Sequence, residues 1–173
     1  MRNLFLPVLA LFYYSVSAQE ANLSKVPSGR SFFAEGGGPG IMFSANYDQR
    51  FARSHVGWGG RMGIGFVTAW KDFENYEWEL SSALTLPVQV NYIFGKPNSP
   101  HTLEAGAGIT YVTKELDIIN FYENRRTQWF GTFCFMYRRQ PLEGGVSWRA
   151  GFTPLIGNGL VQPLGALSVG YTF

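Results

Sequence analysis

From about residue 30 onward, the chain is written in a period of two. In Leu84 to Phe94, the residues Leu84, Leu86, Val88, Val90, Tyr92 and Phe94 fall on one face of an extended strand. Thr85, Pro87, Gln89, Asn91 and Ile93 fall on the other. Leu103 to Tyr111 repeats the pattern, with Leu103, Ala105, Ala107, Ile109 and Tyr111 opposing Glu104, Gly106, Gly108 and Thr110. Three more segments follow it. Trp58, Met62, Ile64 and Phe66 oppose Gly59, Arg61, Gly63 and Gly65; Val146, Trp148, Ala150 and Phe152 oppose Ser147, Arg149, Gly151 and Thr153; Leu167, Val169, Tyr171 and Phe173 oppose Ser168, Gly170 and Thr172. Ile41 to Phe51 and Gln128 to Arg139 fit with less contrast, and Ser31 to Gly36 supplies a short first piece before the Gly36-Gly-Gly-Pro-Gly40 turn. Eight strands result. Helical periodicity is absent apart from an ambiguous Tyr76 to Ala83.

The links between these strands sort by length. Ala52 to Gly57, Gly95 to Pro100 and Gln140 to Gly144 are short, whereas Thr68 to Ser82, Val112 to Thr127 and Pro154 to Gln162 are long. In an antiparallel meander this places the short links on one rim and the long ones on the other. An even strand count puts both termini on the short-turn rim. The chain finishes on LSVGYTF, which alternates to an apolar last residue. Loose chain ends are normally polar, so the last strand is expected to be pinned in the sheet, closing it against the first.

Alternation does not say which solvent the apolar face meets. A secreted lipocalin-like barrel that binds a small apolar ligand has the same period with that face turned inward. The polar face carries Asp48, Arg61, Glu104, Arg138 and Arg149 in mid-strand, which suits either reading. It also carries Gly59, Gly63, Gly65, Gly106, Gly108, Gly151 and Gly170. Glycine on an outer strand face packs nothing and weakens the strand, but the narrow interior of an eight-stranded barrel must mix small residues with large. The apolar face, in turn, sets Tyr47, Phe51, Trp58, Tyr92, Phe94, Tyr137, Trp148, Phe152 and Tyr171 mostly near strand ends, as interfacial girdles require. These features favour lipid outside. Lipid admits only helices or closed barrels, and eight tilted strands of about ten residues satisfy it. The expected fold is therefore all-β, an eight-stranded antiparallel up-and-down transmembrane barrel with a polar, glycine-rich interior.

The first eighteen residues, MRNLFLPVLALFYYSVSA, have Arg2 near the start, an apolar stretch from Leu4 to Tyr14 and small residues before Gln19. They read as a secretory signal cleaved after Ala18, because an apolar core of about eleven residues falls short of the roughly 20 a spanning helix needs. Residues 19–29 read as a polar tail and 30–173 as one barrel domain. Cys134 is the only cysteine, so an internal disulfide is excluded and a buried packing role is expected. Beyond the signal the charge is nearly balanced, which gives no support to a nucleic-acid partner.

The terminal LSVGYTF, together with Tyr137-Arg138-Arg139-Gln140-Pro141 and Arg149-Ala-Gly-Phe-Thr-Pro-Leu155, resembles the small bacterial outer-membrane β-barrels of OmpA/OmpX-like architecture over about Ser31 to Phe173. The resemblance implies the bacterial outer membrane as location, outer-membrane lipid as surroundings, a monomer, and recognition by the barrel-assembly machinery through Leu167, Val169, Tyr171 and Phe173. It carries no common reaction.

With the polar face inside, Glu35, Asp48 and Glu104 share the lumen with Arg50, Arg61, Arg138 and Arg149. Buried charges must pair, so a plug of ion pairs is expected, with a narrow gated channel as the alternative. Lipid-modifying chemistry near the outer rim is a further alternative, but His55 and His101 fall in short turns on the periplasmic side. No catalytic residue, cofactor or metal is assigned. The long loops offer a surface-interaction, adhesion-like role for an unknown ligand. Thr68 to Ser82 is acidic through Asp72, Glu74, Glu77 and Glu79, and Val112 to Thr127 displays Ile118, Ile119, Phe121 and Tyr122.

Overall fold

The computed structural model describes residues 29–72, 78–116 and 127–173. The signal segment, the tail up to residue 28, residues 76–77 of the ambiguous stretch, and Ile118, Ile119, Phe121 and Tyr122 lie outside the described residues. Alternating side chains build the strands β1 (Arg30–Gly37), β2 (Phe43–Arg50), β3 (Gly57–Asp72), β4 (Trp78–Phe94), β5 (His101–Leu116), β6 (Thr127–Arg139), β7 (Gly145–Phe152), β8 (Leu155–Gly157), β9 (Leu160–Gln162) and β10 (Gly165–Thr172). Between β7 and β8 the wall is interrupted at Thr153-Pro154, and between β9 and β10 at Pro163-Leu164, so the ten segments make eight walls of one antiparallel sheet. The sheet closes on itself. β5 pairs with β6, and β1 pairs with both β2 and β10, from Ser31 opposite Thr172 to Gly37 opposite Ala166. Past the last strand, the Phe173 N–H still donates to the Arg30 carbonyl at 3.0 Å.

The apolar face is outside. Phe32, Met62, Leu103 and Val146 are 58 to 62% exposed, while Ser31, Glu35, Asp48, Arg61, Asn91, Glu104 and Arg149 are at most 2% exposed. The lipocalin-like arrangement is thereby excluded. On β4 the outward apolar run from Leu84 to Phe94 is ten steps long. That is about 33 Å along a strand, or about 25 Å at the usual tilt, the height of a barrel's lipid-facing band.

Several strand limits differ from the sequence expectation. The short piece at Ser31–Gly36 is a full strand, whereas Ile41 and Phe51 lie outside β2. Most of the loop expected at Thr68–Ser82 is ladder, with β3 running to Asp72 and β4 starting at Trp78; likewise β5 runs to Leu116. Outward residues there become mixed: the Thr68 and Ser82 hydroxyls lie 2.9 Å apart and Thr113, Lys114 and Glu115 are exposed, beside an exposed Leu80. A strand that rises out of lipid into water loses its apolar face and looks like a loop. Pro154 to Gln162 holds β8 and β9, each three residues long and too short for the alternation to show. One rung is missing inside the band. Pairing of β3 with β4 lapses at Gly63-Ile64 against Leu86-Pro87, where Pro87 has no N–H to give.

Candidate functional site in the barrel lumen

Five large inward side chains stand directly across from a glycine on the next strand, Arg50 with Gly59, Asn46 with Gly63, Gln89 with Gly108, Asn91 with Gly106 and Phe33 with Gly170, whereas Asp48 faces Arg61 and Arg138 faces Arg149. A methyl group on Gly59 would overlap the Arg50 guanidinium, and one on Gly170 would overlap the Phe33 side chain. Large side chains can therefore cross the lumen because the wall opposite has been thinned.

All seven charged residues expected in the lumen are buried there. Asp48 on β2 is the hub. It pairs with Arg50, accepts from Arg138 Nη1 at 2.6 Å, and accepts from Arg149 Nη2 at 3.2 Å. Glu104 on β5 lies 3.3 Å from Arg138 Nη1 and 3.7 Å from Arg149 Nη1. Glu35 pairs with Arg61. Four strands thus converge on Asp48 and Glu104, while Arg61 and Glu35 form a second pair towards the long-strand end. The set holds four guanidiniums against three carboxylates.

Three further residues complete this layer. Asn91 accepts from Arg50 Nη2 at 2.6 Å and donates to Glu104 Oε1 at 2.7 Å, joining the two carboxylate centres. Ser31 accepts from Arg149 Nη2 at 3.0 Å and Arg138 Nη2 at 3.3 Å. Phe33 lies between two cations, its ring centroid 3.8 Å from Arg149 Cζ and 4.9 Å from Arg61 Cζ, which gives the excess positive charge an aromatic face. Residue parity carried the signal for all three, since Ser31 and Phe33 share the face of Glu35, and Asn91 shares that of Gln89.

Above the charges the lumen turns apolar. The turn Gly38–Gly40 folds inward, and its residues are buried. Thr85 Oγ1 donates to the Gly40 carbonyl at 3.0 Å and Thr110 Oγ1 to the Pro39 carbonyl at 2.6 Å. Ile41 follows at φ 77°, a left-handed conformation costly for a β-branched residue. It packs with Val67, Ala69, Ala83, Val112, Phe130 and Leu155. The expected polar filling therefore occupies the part of the lumen towards the short turns, and an apolar cluster closes the part towards the long strands. Cys134 is fully buried in a smaller cluster with Met136 and Ala166.

His55 is buried and His101 exposed, both on the short-turn rim, with His101 Nδ1 bonded to the Tyr137 hydroxyl. The terminal residues Leu167, Val169, Tyr171 and Phe173 all face outward.

No protein-family model and no curated protein matches the chain. Two solved structures are similar to it. The N-terminal β-barrel domain of Pseudomonas aeruginosa OprF superposes with a TM-score of 0.57 at 12% identity, over 87% of this chain and 100% of that one. Yersinia pestis outer membrane protein Ail, solved in a phospholipid bilayer nanodisc, gives 0.51 at 13% identity, over 86% and 99%. The chain has the closed eight-stranded fold of these small barrels.

Proposed function

We propose that the chain is an exported, integral, monomeric protein of the bacterial outer membrane, non-catalytic, with a lumen plugged by ion pairs and a structural or surface-contact role. The observation that carries the reading is the inverted distribution of side chains: a continuous exposed belt of Leu, Val, Phe, Trp and Met surrounds buried Arg, Asp and Glu. In water such a belt far exceeds the apolar patch a soluble monomer shows; in lipid it is the required surface. The likeness of the fold to an outer-membrane protein supports the location. The short-turn rim then faces the periplasm, and the opposite rim faces the exterior, where Ile118, Ile119, Phe121 and Tyr122 are proposed as contact residues.

The test is electrophoretic mobility of the protein from an outer-membrane fraction, in detergent, with and without boiling. A shift on boiling is expected of a closed barrel that resists detergent. Recovery in the soluble fraction with no shift overturns the reading.

A further inference from the structure

The outer wall changes character where β5, β6 and β7 reach the short-turn rim. Register sets His101, Arg139 and Trp148 side by side in one outward row, the last on β5 and β6 before their turns. One row up, Tyr137 binds His101 through its hydroxyl and packs against the Trp148 ring at 5.2 Å. Above these, alanines at 105 and 150 leave the wall thin between the rings of Phe94, Phe135, Tyr137 and Phe152. The result is an outward-open hollow of about 460 Å³. Its lining is mostly apolar and ends at Leu103 and Tyr137, one outward row above His101 and Arg139.

Charge on this rim is one-sided. Arg30, Arg53, Lys96 and Arg139 are all exposed, one at the first strand and one at each of the three short turns. Glu143 is the acidic side chain among the described residues of these turns. Lys96 follows Phe94 by two residues, so it stands beside the same end of the hollow as Arg139. An apolar trough with an Arg and a His in the next outward row and a Lys in the adjoining turn matches one ligand chemistry: an acyl chain joined to an anionic phosphate.

We propose that this face binds an anionic phospholipid of the leaflet that meets the short-turn rim, its phosphate held at Arg139 with Lys96 and His101, and its chain laid over Ala105 and Ala150. The proposal rests on the membrane reading above. The hollow is what separates it from a site for free phosphate, which would need the cations alone.

Folded barrel in detergent, titrated with phosphatidylglycerol and, separately, with phosphatidylcholine of the same chains and read by native mass spectrometry, tests it. Phosphatidylglycerol is expected to be retained in preference. Arg139→Gln should weaken it about fivefold, the effect of one cation at an anionic headgroup. Ala105→Leu with Ala150→Leu, which fills the hollow, should weaken long-chain phosphatidylglycerol and leave a dihexanoyl form unchanged. Equal retention of the two lipids, no change in Arg139→Gln, or full displacement by inorganic phosphate overturns the site. The boiling shift is run on each preparation. Its presence keeps the barrel reading whatever the lipid does, and its absence sinks that reading independently.

Discussion

Asp48→Asn is the substitution that most directly probes the lumen, because it removes one charge and almost no volume. Asp48 is 1% exposed and meets three guanidiniums, those of Arg50, Arg138 and Arg149. Removing one partner of a buried ion pair costs about 3–5 kcal/mol. Here the lower end applies. Arg138 and Arg149 keep Glu104 at 3.3 and 3.7 Å, and Arg50 keeps the Asn91 side-chain Oδ1 at 2.6 Å and the Gly57 backbone carbonyl at 3.0 Å. A loss of about 3 kcal/mol at a urea slope of about 2 kcal/mol/M shifts the midpoint down by about 1.5 M. The assay is reversible urea unfolding in lipid vesicles, followed by the boiling-sensitive mobility of the folded form. Arg138→Met supplies the internal control. It brings the lumen to three Arg against three carboxylates and places an apolar chain of similar length, so it should cost less than Asp48→Asn. Combined with Asp48→Asn, it should recover about half the lost midpoint. A shift under about 0.3 M in Asp48→Asn, or a larger loss in Arg138→Met, refutes the view that paired charge holds this layer.

Four other outcomes follow from the same geometry. Gly59→Leu puts a side chain into the space of the Arg50 guanidinium and should cost about 1–3 kcal/mol or block folding; Ala45→Leu, on the lipid face, should leave the urea midpoint within about 0.3 M. Val88→Arg introduces a charge in mid-band at a position 52% exposed to lipid, a loss of about 2–4 kcal/mol measurable by the same unfolding. Pro87→Val restores the N–H missing opposite Gly63 and should raise stability by about 0.5–1.5 kcal/mol; a drop in midpoint would show that the lapse is not set by the proline. In planar bilayers the protein should show no large stable open events, and sustained conductance at neutral pH contradicts a closed lumen.

The strands were legible because lipid and lumen impose opposite demands on alternate residues, and Leu84 to Phe94 meets the outward demand at every alternate position and the inward one at Thr85, Gln89 and Asn91. Legibility failed where one demand lapsed. At Thr68 and Ser82 the outside is water, so outward residues became polar and the ladder passed for a loop. At Phe130, Cys134 and Met136 the inside is apolar, so both faces of β6 looked alike. Phe33 was hidden differently. Phe32 precedes it, and two adjacent rings give no contrast, although parity with Glu35 assigns Phe33 to the lumen. The inward fold of Gly38–Gly40 had no local signature, since a glycine-rich turn reads the same whether it points up or in. Its direction is set by Thr85 and Thr110, more than forty residues away.

The lumen is therefore closed twice, by unlike means. The layer around Asp48 and Glu104 depends on charge. Protonating either carboxylate weakens it, by the linkage of charge to stability. The closure by Pro39, Ile41, Phe130 and Leu155 contains no titratable group and gains from the exclusion of water. Acid acts on the first and leaves the second in place, so a change of pH alone gives no continuous water path. Opening the upper closure needs Ile41 to leave its apolar neighbours. Escape from the strained γ-turn at Ile41 returns about 1–3 kcal/mol, while exposing a buried Ile costs about 1.5–3 kcal/mol and the two threonine hydrogen bonds are lost besides. The turn stays in. Ile41→Gly removes the strain and the anchor together, and because the anchor is worth more, the variant should be less stable than the parent and is the one in which conductance at low pH should appear.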